Sequence, residues 1–200
     1  MNRVLNYASA LATSCALAMP VSARAQKFEL SPFAGAFVAP TNIAEARGLT
    51  MHQQPGFLIG ARGTWWKGGH YGAEATFAYV RSNAKESGSS TSRTQSAQLG
   101  ASSIRLAWRP DSIGSALRLS GGLGMVAHGG TAYGSADGRS DLALALGAGW
   151  RVPISGTVAW RVDLDDYLYS ASFGVGSTKS KSKLQSDVLL SVGVIFRLGQ

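Results

Sequence analysis

Apolar and polar residues alternate with a period of two along most of the chain. No window sustains the i, i+3, i+4, i+7 apolar spacing of an amphipathic helix. The alternation falls into eight blocks: 28–38, 55–66, 71–81, 95–108, 116–128, 141–151, 157–169 and 184–197. In the sixth, Leu142, Leu144, Leu146, Ala148 and Trp150 alternate with Asp141, Ala143, Ala145, Gly147, Gly149 and Arg151. In the last, Val188, Leu190, Val192, Val194 and Phe196 oppose Asp187, Leu189, Ser191, Gly193, Ile195 and Arg197. Successive side chains of a strand point to opposite faces, so each block predicts a strand with one apolar and one polar face.

The connections alternate in length. Segments 39–54, 82–94, 129–140 and 170–183 are long, whereas 67–70, 109–115 and 152–156 are short. Four long loops at one end and three tight turns at the other describe an up-and-down meander. An even strand number with this asymmetry predicts an all-β, eight-stranded antiparallel transmembrane barrel of the bacterial outer-membrane kind. Tilted strands of about 9–11 residues cross the hydrocarbon layer, and closure removes the edges that lipid could not satisfy.

The charges decide which face looks inward. Arg62, Arg105, Arg118, Arg151, Arg161 and Arg197 lie opposite the apolar rows, as do Glu29, Glu74, Asp141, Asp163, Asp165 and Asp187. A soluble, lipocalin-like barrel would put apolar residues inside and polar ones in water. Here the polarity is inverted: the apolar rows suit acyl chains, and the twelve charges form an interior ion-pair ladder. Near-equal numbers of the two signs are expected there, because an unpaired buried ion carries several kcal/mol of desolvation cost. Arg81 and Asp166 share the apolar register, close to the rim of the long loops.

Aromatic residues gather near the strand ends. Trp65, Trp66, Tyr71, Trp108, Trp150, Trp160 and Phe196 lie toward the short-turn end, which predicts an aromatic girdle at a membrane–water boundary. Phe57, Phe77, Tyr79 and Tyr169 are placed at the opposite rim.

Residues 1–25 read as a leader rather than as part of the fold. Asn2 and Arg3 open it, an apolar small-residue run follows to Val21, and Ala23-Arg24-Ala25 fits a small-x-small cleavage site. The expected division is a signal peptide at 1–25 and a barrel domain at 26–200. A competing reading takes Cys15, after Ala12-Thr13-Ser14, as a lipidation site, although Ala12 stands where Leu is wanted. Cleavage after Ala25 removes the sole cysteine, and thiol chemistry with it.

Composition then becomes intelligible. The chain has 200 residues, a formal charge of +8 and only 15% charged residues, with 25 glycines. An ordinary soluble domain has about 25% charged residues. The basic residues are scattered singly rather than clustered, so nucleic-acid binding is not indicated. Arg3 and Arg24 leave with the leader, and the low charge fraction reflects how much of each strand faces lipid.

Certain segments resemble a known family. Phe28-Glu29-Leu30-Ser31-Pro32-Phe33-Ala34-Gly35 resembles the usual first strand of the small eight-stranded outer-membrane barrels, the OmpA/OmpX-like superfamily and its generic outer-membrane β-barrel domain group. Leu189-Leu190-Ser191-Val192-Gly193-Val194-Ile195-Phe196-Arg197-Leu198 is similar to the usual last strand. The resemblance covers nearly all of 26–200. It implies a monomer in a Gram-negative outer membrane, among lipid and lipopolysaccharide, delivered by the barrel-assembly machinery. Many members end in an aromatic residue, whereas here Phe196 is followed by four more residues.

Little chemistry is legible on this scaffold. An eight-stranded interior is wide enough only for side chains, which argues against a general pore. The lipid-deacylase type in the superfamily carries His and Ser two residues apart on one strand; His128 is followed by Gly129 and Gly130. His52 and His70 lie in connections without an adjacent Ser and carboxylate. Asp163-x-Asp165-Asp166 has oxygen ligands that suit Ca²⁺, but alternation sends Asp166 to the other face. No catalytic, cofactor or metal residue is therefore assigned. The expected role is structural or surface-interacting, adhesion included, with a lipid-A-modifying enzyme and a small ion-conducting barrel as the alternatives. Lys179, Lys181 and Lys183 form a cationic loop suited to lipopolysaccharide phosphates or another polyanion.

Overall fold

A computed structural model describes residues 26–198 apart from 43, 47–48, 68, 88–91, 111–115, 134–138, 172–173, 176–177 and 180–182. Residues 1–25, which the sequence predicts to be a signal peptide, lie with Cys15 outside the described residues. The described residues form twelve strands: β1 (Gln26–Val38), β2 (Ala44–Ala46), β3 (Leu49–Gln53), β4 (Gly56–Lys67), β5 (Tyr71–Ser87), β6 (Ser92–Trp108), β7 (Leu117–Gly129), β8 (Arg139–Pro153), β9 (Val158–Ala171), β10 (Gly174–Val175), β11 (Thr178–Lys179) and β12 (Lys183–Leu198). The eight long ones, β1, β4, β5, β6, β7, β8, β9 and β12, pair antiparallel in chain order. β12 returns to β1, from Phe28↔Leu198 to Val38↔Val188, and closes the ring. The fold is an eight-stranded antiparallel transmembrane β-barrel.

Short turns join the strands at one end, held by backbone hydrogen bonds such as Arg109 N–H to His70 O (2.8 Å) and Ile154 N–H to Val158 O (3.0 Å). The long-hairpin end is more ordered than the sequence suggests. Segment 82–94, read as a polar loop, is mostly strand: β5 and β6 stay paired out to Ser87↔Ser92. Segment 39–54 contains the β2–β3 hairpin, and β3 pairs with the projecting part of β5 from Thr50↔Ser87 to Gln53↔Ala84. These residues are polar on both faces because both leave the hydrocarbon, so no apolar period announces them. Segment 129–140 contains a 3-10 turn at Thr131–Tyr133, entered through Gly130 at φ 99°, a left-handed conformation that glycine adopts without strain. Segment 170–183 contains the small β10–β11 pair.

The outward face is a continuous apolar band. Leu106, Leu142, Ile104 and Leu123 are 64–77% exposed, and Leu144, Leu164, Leu190 and Val192 lie close to half exposed. A water-soluble monomer rarely exposes an apolar surface of this extent, so hydrocarbon is the solvent this face is built for. Leu144 lies mid-strand on β8, opposite Leu123 on β7 and Leu168 on β9. Leu144→Arg is expected to lower the unfolding free energy in lipid vesicles by about 2–4 kcal/mol. Denaturant titration followed by tryptophan fluorescence reads this, and an unchanged midpoint would show that the face does not meet lipid.

The inward face has two storeys. The half toward the short turns is polar and charged. The other half is an apolar core that includes Phe33, Phe37, Leu58, Val80, Leu99 and Leu189. Alternation predicts an interior of charges and small residues throughout, whereas the upper storey is apolar. Its large residues fill the space left by Ala78, Ala97, Ala101 and Ala143 around the ring, an alternation of large and small side chains that packs a narrow barrel.

Candidate functional site: interior lattice and projecting wall

The charged storey is built by alternation on all eight long strands, whose inward positions converge on the axis. Asp163 on β9 is its hub. It meets Arg62 Nη1 at 2.5 Å, Arg161 Nε at 2.7 Å and Arg118 Nη2 at 3.2 Å. Asp165, two residues on and so on the same face, takes Arg62 Nη2 at 2.5 Å and also pairs with Arg105. Glu74 on β5 pairs with Arg118, accepts from Arg161 Nη2 at 3.1 Å and from Thr64 Oγ1 at 3.0 Å. Arg105 donates further to Tyr167 Oη (2.8 Å) and Ser103 Oγ (2.8 Å). Arg62, Glu74, Arg105, Arg118, Arg161, Asp163 and Asp165 are all buried. With every ion bonded to at least two partners, charged or hydroxyl, the lattice offsets a desolvation cost that an isolated pair would not.

Glu29 organises a second cluster nearer the short turns. Arg109 Nη2 donates to both of its oxygens, at 3.0 and 2.8 Å. Arg197 and Arg151 stand 3.5 and 3.8 Å from it. Trp66 completes the group: its indole N–H donates to Glu29 Oε2 at 2.9 Å, and the Arg109 guanidinium stacks on its ring at 3.4 Å. Burial holds Arg109 below the ordinary arginine pKa, opposed by Glu29 and reinforced by repulsion from Arg197 and Arg161.

Two members of this cluster correct the sequence reading. Trp66 is 1% exposed and faces the interior, so it is not part of the girdle; Trp65, Tyr71, Trp108, Trp150, Trp160 and Phe196 do face outward. Adjacent strand residues cannot share a face, and Trp66 has the parity of Arg62, so the signal was present in the sequence. The sequence places Arg109 in a turn, yet its side chain folds into the barrel mouth.

Asp141 and Asp187 do not join the ion-pair ladder. Both lie at the long-hairpin end, above the apolar storey. Asp187 accepts from Tyr169 Oη at 2.9 Å. Having spent its single proton there, the hydroxyl is the acceptor toward His128 Nε2 at 3.0 Å. Tyr169, assigned by sequence to the outer aromatic rim, is therefore an interior residue. Asp141 lies near enough to add to the negative field at Tyr169. Tyr133 covers the group, its ring 5.1 Å from His128 and its hydroxyl donating to Gln53 Oε1 at 2.8 Å. The other charges fall into place below. Seven guanidinium groups, on Arg62, Arg105, Arg109, Arg118, Arg151, Arg161 and Arg197, share the four carboxylates of Glu29, Glu74, Asp163 and Asp165.

Outside the barrel, β3, β5 and β6 form a wall projecting beyond the apolar band. Its outward rows carry Arg81, Asn83, Lys85 and Ser87 on β5, and Ser92, Thr94, Ser96 and Gln98 on β6. His52 pairs with Lys85 from β3. All nine are exposed, and neither row contains a carboxylate. Arg81 lies opposite Phe57, which is 62% exposed, so the first cation stands at the edge of the apolar band. Of the sequence-assigned loop lysines, Lys183 is exposed at the start of β12 and Lys179 lies in β11, while Lys181 lies outside the described residues.

The sequence matches no protein-family model and no curated protein. Solved structures do match. The outer membrane protein OprG from Pseudomonas aeruginosa superposes with a TM-score of 0.66 at 11% identity, over 89% of this chain and 98% of that one. Neisserial surface protein A does so with a TM-score of 0.55 at 10% identity, over 88% and 100%. Ail, the attachment invasion locus protein of Yersinia pestis, solved with the heparin analogue sucrose octasulfate, gives 0.50 at 15% identity over 86% and 98%. The chain thus has the fold of the small eight-stranded outer-membrane β-barrels.

Proposed function

We propose that the chain is an integral outer-membrane protein whose short turns face the periplasm and whose long hairpins face outward, with a structural and polyanion-contacting role at the cell surface. The observation that carries this reading is the outward face of the projecting wall, whose described β5 and β6 rows contain no carboxylate. That face rises from the apolar band where the phosphates and acidic sugars of neighbouring lipopolysaccharide stand. Arg81 can bury its stem against Phe57 while its guanidinium reaches the phosphate layer, and Lys85 and His52 continue the cationic face outward. The loop lysines Lys179, Lys181 and Lys183 add a second cationic element. Ail, which shares the fold, was crystallised with a sulfated polyanion.

Each basic residue near an anionic membrane surface contributes about 1 kcal/mol. Arg81→Gln with Lys85→Gln is therefore expected to reduce lipopolysaccharide co-purifying with the barrel by roughly tenfold or more, measured as lipid-A phosphate per protein. Replacing Lys179, Lys181 and Lys183 with Gln is expected to weaken retention on an immobilised sulfated polysaccharide. Unchanged values in both assays would sink the proposal.

A further inference from the structure

Among the described residues, the lattice near the short turns contains more positive than negative charge. Its seven guanidinium groups face four carboxylates, and the two remaining interior acids, Asp141 and Asp187, sit beyond the apolar storey. The described residues at the same end add only basic groups: Lys27 and Lys67, both exposed. An uncompensated cation in a partly buried site carries a desolvation cost, which a bound anion would relieve.

A cleft lies where that anion would sit. It runs between the Glu29 cluster and the lattice, lined by Glu29, Arg109, Arg118, Arg151, Arg161 and Gly149, with about 10 Å³ of free space. That is room for one water-sized group, hence one oxygen of a larger oxyanion. Arg118 Nε, on a side chain 5% exposed, has no hydrogen-bond partner and lines this cleft. Glycine keeps the space open, because a Cβ at Gly149 would stand 3.6 Å from Arg118 Nε and collide with Asp163 Oδ1. Arg151 lines the cleft and Arg197 stands beside it, 15% and 27% exposed; they lie 3.8 and 3.5 Å from Glu29, and Arg197 Nη1 also donates to Gly156 O at 3.1 Å.

From the cleft, the orphaned Arg118 N–H and the excess of guanidinium groups, we propose that the short-turn mouth is an oxyanion site that takes a phosphate group. One oxygen enters beside Arg118 Nε, and the others meet Arg151 and Arg197 in the forked geometry that guanidinium groups offer to phosphate. The phosphate can belong to a soluble ion or to the headgroup of an anionic phospholipid. The site is at the opposite end of the barrel from the polyanion-contacting wall and does not depend on it.

The experiment uses the full barrel in phosphatidylcholine nanodiscs, titrated calorimetrically with inorganic phosphate. A second arm measures, by native mass spectrometry, retention of phosphatidylglycerol over phosphatidylcholine. Arg151→Gln with Arg197→Gln is the test variant and Lys85→Gln the control, each checked for folding by heat-modifiable gel mobility. Saturable phosphate binding, weakened roughly tenfold to a hundredfold in the double variant and unchanged in the control, supports a soluble ligand. Selective phosphatidylglycerol retention with the same dependence supports the headgroup. If neither ligand binds, or if the folded double variant binds both as the wild type does, the proposal is overturned.

Discussion

Asp163→Asn is expected to lower the stability of the folded barrel by about 3–5 kcal/mol, the range for removing one partner from a buried ion pair. The change keeps size and shape, so the loss comes from charge alone. Asp163 meets three guanidinium groups, on Arg62, Arg118 and Arg161. An amide there turns one of its N–H groups toward a cation and leaves one oxygen to serve all three. The lattice already has more guanidinium groups than carboxylates, and the substitution widens that excess. Arg161→Gln, in contrast, removes a cation from the oversupplied side, and Glu74 and Asp163 retain Arg118 and Arg62 as partners. Its cost is expected to be clearly smaller. Unfolding in urea from phospholipid vesicles measures both, and equal losses would mean that the carboxylates do not limit the lattice.

The difference between those two variants is not visible in the sequence, and the reason is geometric. Alternation tells which face a residue takes, because the period of a strand is two. It does not tell the height along the barrel axis, which depends on the stagger of each strand against its neighbour. Glu29, Glu74, Asp163 and Asp187 therefore look equivalent in sequence. In the barrel, β9 and β12 are staggered so that Asp187 stands opposite Tyr167, toward the long hairpins, while Asp163 stands opposite Ser191 in the charged storey. A balanced set of twelve charges thereby separates into a cationic lower lattice and an acidic upper cap. The projecting wall escaped for a different reason. Its residues meet water on both sides, so the apolar stripe that locates a strand in lipid is missing from 82–94. Trp66 is legible, since its parity follows from Arg62 and outweighs the tendency of tryptophans to form girdles.

The apolar storey gives the other large effect. Phe37→Ala is expected to cost about 3–5 kcal/mol, because the deleted ring leaves a cavity that its neighbours cannot fill. Phe37 is 0% exposed and belongs to the same core as Leu58, Leu99 and Leu189, each 0–1% exposed. These side chains stand on strands fixed by closure of the ring, so the backbone cannot collapse inward as an open sheet would. Its neighbour Val38 is the control, 44% exposed on the lipid face. Truncating Val38 to Ala opens a gap that mobile acyl chains fill, and the expected loss is well below that of Phe37→Ala. Equal losses would show that the upper interior is not a packed core. The same cavity tests how the barrel is closed to ions. Truncating Phe37 thins only the upper storey, and the arginine–carboxylate lattice still occupies the lower one. Phe37→Ala is accordingly expected to show no conductance beyond that of the parent in a planar bilayer. A gain in conductance would place the seal in the apolar storey alone.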